Sequence, residues 1–170
     1  MRDFLEQITA CIDAAIFAPA LASAMIVPDS CGAIEYPGEK NGQRYRRWYD
    51  TYCPTFHSQR ITFSGEAVWA IRNGMMHETR LVLTRFGFDR VLFTVPNRAN
   101  ITMHMCSSSI GGESALNVDL VEFCRGVIKG CERWLDDIAT DAVKQERLGG
   151  LIQYRSQGLA PHIVGLPLVC

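Results

Sequence analysis

The sequence has no two cysteines at Cys-x2-Cys spacing, no uninterrupted apolar run long enough for a bilayer, and a net charge of only −1. Each absence removes a class. The seven cysteines, Cys11, Cys31, Cys53, Cys106, Cys124, Cys131 and Cys170, are odd in number and scattered, which argues against a zinc ribbon or a thioredoxin-type motif. No metal site and no cofactor is expected. Free thiols in that number point to a reducing cytoplasm. The longest apolar stretch, residues 14–27, carries Pro19 and reads as too short and interrupted to span a membrane. Asp3, Glu6 and Asp13 follow Arg2 closely, so a signal peptide is not expected. No repeat at solenoid-like periods is visible. Residues 107–114 include Gly111-Gly112 but lack the lysine and glycine spacing of a phosphate-binding loop.

What is present is an ordinary globular balance, 48% apolar and 21% charged residues. A chain of 170 residues is expected to form a single domain, 1–170, with its own core. The charge is unevenly spread. Residues 40–90 hold nine Lys or Arg against four Asp or Glu, a stripe suited to phosphate, although a solvated face gives the same count.

Periodicity predicts a mainly α fold of four to five main helices with a small inserted β-hairpin. Residues 3–18 read as an amphipathic helix, and Pro19 either kinks it or starts a second helix over 20–27. Pro28-Asp29-Ser30 then resets the chain, with Asp29 capping a turn or lending a carboxylate to a site. In residues 42–52, Tyr45, Trp48, Tyr49 and Tyr52 form one stripe, read as core rather than as a base-stacking platform. Arg44, Arg46 and Arg47 between them would face water or RNA. His57 reads as an exposed loop residue. Residues 79–85 are a possible continuation of the preceding helix. Residues 90–95 and 101–106 have strand composition and read as a hairpin joined by 96–100, with a flexible loop at 107–114. Asn117 can cap a helix over 118–139, with a short helix at 142–148. The Gly- and Pro-containing tail, about 149–170, packs on the bundle, covers a partner, or stays partly disordered.

The chemistry concentrates in residues 65–78. Ser64 offers a cap, Glu66 sits in the first turn, and Val68, Ile71 and Met75 recur at helical spacing. Arg72, Asn73 and His77 interrupt this apolar helix. Asn73 and His77 are four apart, so the amide is placed to orient the imidazole, and Arg72 can reach round. A guanidinium, an amide and an imidazole suit a phosphate ester: arginine neutralises phosphoryl oxygens and histidine moves a proton near neutral pH. The plain alternative is an arginine and histidine that only cap and solvate a core helix.

Arg72-Asn73-Gly74-Met75-Met76-His77 resembles the Arg-x4-His motif of the HEPN superfamily, in the variant with asparagine directly after arginine. The segments PDSCGAIEYP, RYRRWYDTY, VLFTVP and VDLVEFCRGVIKGCERWL resemble a bacterial branch, over residues 15–137. The resemblance implies a HEPN-like helical bundle and a metal-independent endoribonuclease of toxin–antitoxin or phage-defence type. It implies a homodimer in which two copies of Arg72, Asn73 and His77 meet in a composite site. Arg44, Arg46, Arg47 and Arg80 are the expected substrate-binding residues, RNA or a nucleotide the expected partner, together with a neutralising protein. Two other classes stay open: a non-catalytic nucleotide- or RNA-binding module, and a dimerisation module in which the motif only pairs across an interface.

Overall fold

The computed structural model describes residues 1–58, 60–99 and 101–170, and is mainly helical with small sheets. Helix α1 (Arg2–Asp13) buries Leu5, Ile8 and Ile12. It stops before the expected end. Ala15 takes a left-handed conformation (φ 57°), and the Ile16 amide bonds back to the Cys11 carbonyl at 2.7 Å, which closes the helix.

Helix α2 (Phe17–Glu35) corrects the sequence reading most. Pro19 lies in its first turn, where a missing N–H costs nothing. Pro28 does not reset the chain; it sits inside the helix, buried beside Val27 and Cys31. An interior proline costs about 3 kcal/mol, so burial on both sides of it must outweigh that. The Tyr45 hydroxyl donates to the Met25 carbonyl (3.2 Å), in the turn ahead of the proline. By length and composition α2 could cross a membrane, but half of that window is buried inside the fold, as in any core helix.

Helix α3 (Asn41–Tyr52) crosses α2 so closely that a Cβ on Gly32 would lie 2.9 Å from the Arg44 carbonyl. Tyr45, Trp48 and Tyr49 are buried, as the stripe predicts, while Tyr52 at its end is half-buried. A short ladder follows, β1 (Phe56–His57) with β2 (Thr62–Phe63), which leaves His57 exposed and in contact with the Thr62 hydroxyl at 3.1 Å. It delivers the chain to α4 (Gly65–Glu78).

The expected hairpin is paired differently. Strand β3 (Arg90–Thr94) runs parallel to β5 (Glu113–Asp119), and β4 (Cys106–Ile110) runs antiparallel to β5 on its other side. The hairpin is therefore β4–β5, in the segment read as a loop. Its two-residue turn is Gly111-Gly112, both at positive φ, the conformation a tight hairpin demands. Residues 101–104 are not strand. Asn100, at the end of the expected connector, lies outside the described residues. Strand β5 runs straight into α5 (Leu120–Asp137), whose cap is Asp119 rather than Asn117: its carboxylate accepts from the Glu122 amide at 2.7 Å. Asn117 is instead buried in the sheet, donating to the Cys106 carbonyl.

Helix α6 (Ala142–Gly149) is capped by Asp141. It is tied to α2 through Lys144, which meets Glu35 at 2.8 Å, while Trp134 of α5 donates to the same carboxylate at 2.9 Å. The tail forms two nested ladders, β6 (Tyr154–Arg155) with β9 (Leu168–Val169) around β7 (Gly158–Leu159) with β8 (Ile163–Val164). Ile152, Val164, Leu166 and Val169 stay exposed there.

Candidate functional site

Helix α4 is held at its start by Asp50, a group the sequence pattern did not single out. At its start Ser64 makes no side-chain cap. The Gly65 amide instead donates to Asp50 of α3 at 2.6 Å. A Cβ on Gly65 would lie 2.5 Å from the Arg46 carbonyl oxygen, so backbone meets backbone here and a carboxylate from α3 is nearer than the serine. Glu66 ion-pairs with Arg46 of α3 and also with Arg85, at 3.2 Å. At its end the helix stops at Glu78 rather than continuing. Thr79 adopts a left-handed conformation (φ 55°), and the Arg80 amide returns to the Gly74 carbonyl at 3.0 Å.

Ala67, Val68 and Ile71 bury one side of α4. Arg72 leaves that side toward α2, where it forms an ion pair with Asp29; the two side chains are 17% and 15% exposed. Its Nη1 donates to the Asn73 side-chain oxygen at 3.2 Å, and its guanidinium lies 5.3 Å from the centre of the Trp69 ring. Asn73 thus orients Arg72, not His77. His77 is exposed in the last turn and has no hydrogen-bond partner among the described residues. By the helical repeat, Arg72 and His77 are separated by about 7.5 Å along the axis and about 140° around it. The pair diverges within one chain.

The expected substrate arginines do not form one surface. Arg47 pairs with Glu39 and lies over the Tyr36 ring at 4.1 Å. Arg46 is committed to Glu66, eleven residues before His77 and so about 16 Å away along the helix. Arg44 is half-buried, with an unpartnered Nε. Of the four, Arg80 follows His77 three residues on in the chain and has Glu78 at 4.0 Å. Beside it opens a cavity of about 510 Å³ whose lining includes Thr79, Arg80, Leu92, Asp89, Arg90 and Glu113. There Arg90 pairs with Glu113, and two bonds from Ser114 hold the Asp89 carboxyl below its ordinary range.

Asp29 is the residue that the motif alone does not reveal. The signal available is its place after a proline in an otherwise uncharged apolar stretch, which suits a cap better than a site. Tyr45 stands in the same environment: burial first, and then the Asp29 charge, push its phenol well above the ordinary range, while Arg72 opposes them. No protein-family model matches the chain, and neither the curated proteins nor the solved structures contain a match.

Proposed function

We propose that this chain is a HEPN-like, metal-independent endoribonuclease of toxin or defence type, cleaving single-stranded RNA in the cytoplasm as a homodimer. The observation that carries the reading is the pairing of a fixed guanidinium with an unengaged imidazole on one short helix. Arg72 is anchored by Asp29 and Asn73, while His77 stands exposed about 1.4 turns later. Their divergence gives the dimer a reason: a second α4 across a two-fold axis supplies what one chain does not converge on a phosphate. In the reaction, one His77 takes the proton of the ribose 2′-hydroxyl as its oxygen attacks phosphorus. His77 of the partner subunit protonates the leaving 5′-oxygen. Arg72 stabilises the charge on the phosphorane, and Arg80 steers the strand. The products are a 2′,3′-cyclic phosphate and a 5′-hydroxyl, and DNA is inert for want of the 2′-hydroxyl. A neutralising partner protein would need only to cover the exposed end of α4.

The Asp29–Arg72 ion pair favours a second reading, a non-catalytic RNA- or nucleotide-binding or dimerisation module, because the arginine's charge is already met. The test is mixed-sequence single-stranded RNA, with a DNA strand of the same sequence alongside, in EDTA. Cleavage confined to RNA and lost in Arg72→Ala supports the nuclease; RNA bound but intact supports the second reading.

A further inference from the structure

Asp29 touches the proposed site only through Arg72, and the way it does so is unusual for an ion pair built for stability. The contact is between Asp29 Oδ2 and Arg72 Nη2. Both Asp29 carboxylate oxygens, Oδ1 and Oδ2, and the Arg72 Nε are buried without a hydrogen-bond partner, so the pair is held by charge and not by a well-aligned hydrogen bond. A bidentate arrangement is the stronger carboxylate–guanidinium pairing, and it is not formed. The Asn73 side-chain oxygen accepts from Nη1, the one side-chain hydrogen bond of Arg72 among the described residues, so most of the five-donor fork is held but unspent. The Trp69 ring limits its movement on a third side. Both partners come from packed helices, α2 and α4, and the Tyr45 hydroxyl in the same environment is already committed to the Met25 carbonyl.

We infer that Asp29 is the positioning residue of this site, setting the place of the Arg72 guanidinium and cancelling its charge until a phosphate arrives. The inference rests on the reading of Arg72 as the phosphate-binding group. Two opposite consequences follow. A held guanidinium enters the transition state without having to be ordered, so fixing it favours turnover, and a displacement of about 1 Å costs roughly 100-fold in rate. A compensated guanidinium attracts the ground-state phosphodiester less, so the same carboxylate weakens RNA binding. A purely structural ion pair would do neither.

The variant that separates these effects is Asp29→Asn, which keeps size and an acceptor oxygen but removes the charge. It is expected to lower kcat by about 10- to 100-fold while KM for mixed-sequence single-stranded RNA falls. Its RNA affinity should rise at low salt, and the slope of log affinity against log salt should steepen by about 0.7, the value for one more neutralised phosphate on a single strand. Asp29→Glu restores the charge and should return the salt slope to the wild-type value. Arg72→Lys keeps the charge without the fork, so binding should persist while turnover is lost.

Equal falls in kcat and kcat/KM with an unchanged salt slope would overturn the inference. Should the wild type leave RNA intact, the nuclease reading fails on its own, and the salt slope of RNA binding still decides Asp29. Should Asp29→Asn fail to fold, the wild type answers directly through the ¹⁵N resonance of Arg72 Nε–H, assigned by its loss in Arg72→Lys. Slow exchange with water before RNA is added supports a held side chain; rapid exchange and free rotation overturn it.

Discussion

Gly65→Ala puts the anchoring of the candidate site to the test. The new Cβ would lie 2.5 Å from the Arg46 carbonyl oxygen and 2.8 Å from the Arg46 Cα, both rigid parts of α3. Ordinary contact begins near 3.4 Å, so α4 must retreat by about 0.9 Å. Overpacking of that kind costs about 1–3 kcal/mol. The same movement stretches the 2.6 Å bond from the Gly65 amide to Asp50, and loss of a helix cap adds about 1 kcal/mol. Together the cost is about 2–4 kcal/mol. Unfolding entropy for 170 residues is about 0.36 kcal/mol per kelvin, so Tm should fall by roughly 6–11 °C. Scanning fluorimetry reads that shift, and hydrogen exchange should show protection lost first in α4. Asp50→Ala removes the cap without the clash and should cost about 1 kcal/mol, whereas Ser64→Ala, which breaks no cap bond, should stay within about 0.5 kcal/mol. If Gly65→Ala melts within 2 °C of wild type, or Ser64→Ala costs more than Asp50→Ala, the described docking of α4 on α3 is wrong.

Other outcomes follow from single groups. Glu35→Ala strands the buried Trp134 indole N–H and leaves Lys144 only its longer contact with Asp141, so urea denaturation should show a loss of about 2 kcal/mol. Thr79→Gly relieves a β-branched residue from a left-handed conformation and should raise stability by about 0.5–1 kcal/mol in the same assay. Asp89 has its folded-state pKa below the ordinary 3.8, so its contribution is complete above that value and is lost as pH falls through the lower folded value. The stability gap between wild type and Asp89→Asn should accordingly be flat near neutrality and close in acid. All seven cysteines are free, including Cys31 and Cys131 with sulfurs 3.6 Å apart, so dithiothreitol should leave the Tm unchanged. Light scattering at tens of micromolar should give a homodimer; a monomer would remove the composite site.

Local pattern made part of this molecule legible. The α3 stripe placed Tyr45, Trp48 and Tyr49 in the core because four aromatics at helical spacing leave one face no other place. The motif helix is legible in the sequence, since Val68, Ile71 and Met75 keep helical spacing around Arg72 and Asn73. Its caps were not legible: Asp50 reaches Gly65 from another helix, and no local rule sees a tertiary carboxylate. Pro28 looks like a break in the sequence because propensity weighs a residue alone, while burial along α2 decides its conformation. The sheet failed for a similar reason. Residues 101–106 look more strand-like than the serine-rich 107–110, yet Gly111-Gly112 sets the turn and the turn sets the register. Within the site, spacing along α4 placed Asn73 beside His77, but Asp29 draws the Arg72 side chain toward α2 and Asn73 hydrogen-bonds to that arginine instead.

The central claim is that His77 moves protons in RNA cleavage. The most direct measurement is mass analysis of the ends produced when a 5′-labelled single-stranded RNA is incubated with wild type or His77→Ala in EDTA. With His77 as the proton carrier, the wild type should give 2′,3′-cyclic phosphate and 5′-hydroxyl ends, and His77→Ala a rate about two to four orders of magnitude lower with its circular dichroism unchanged. Intact RNA with the dimeric wild type, or equal cleavage by His77→Ala, would contradict it.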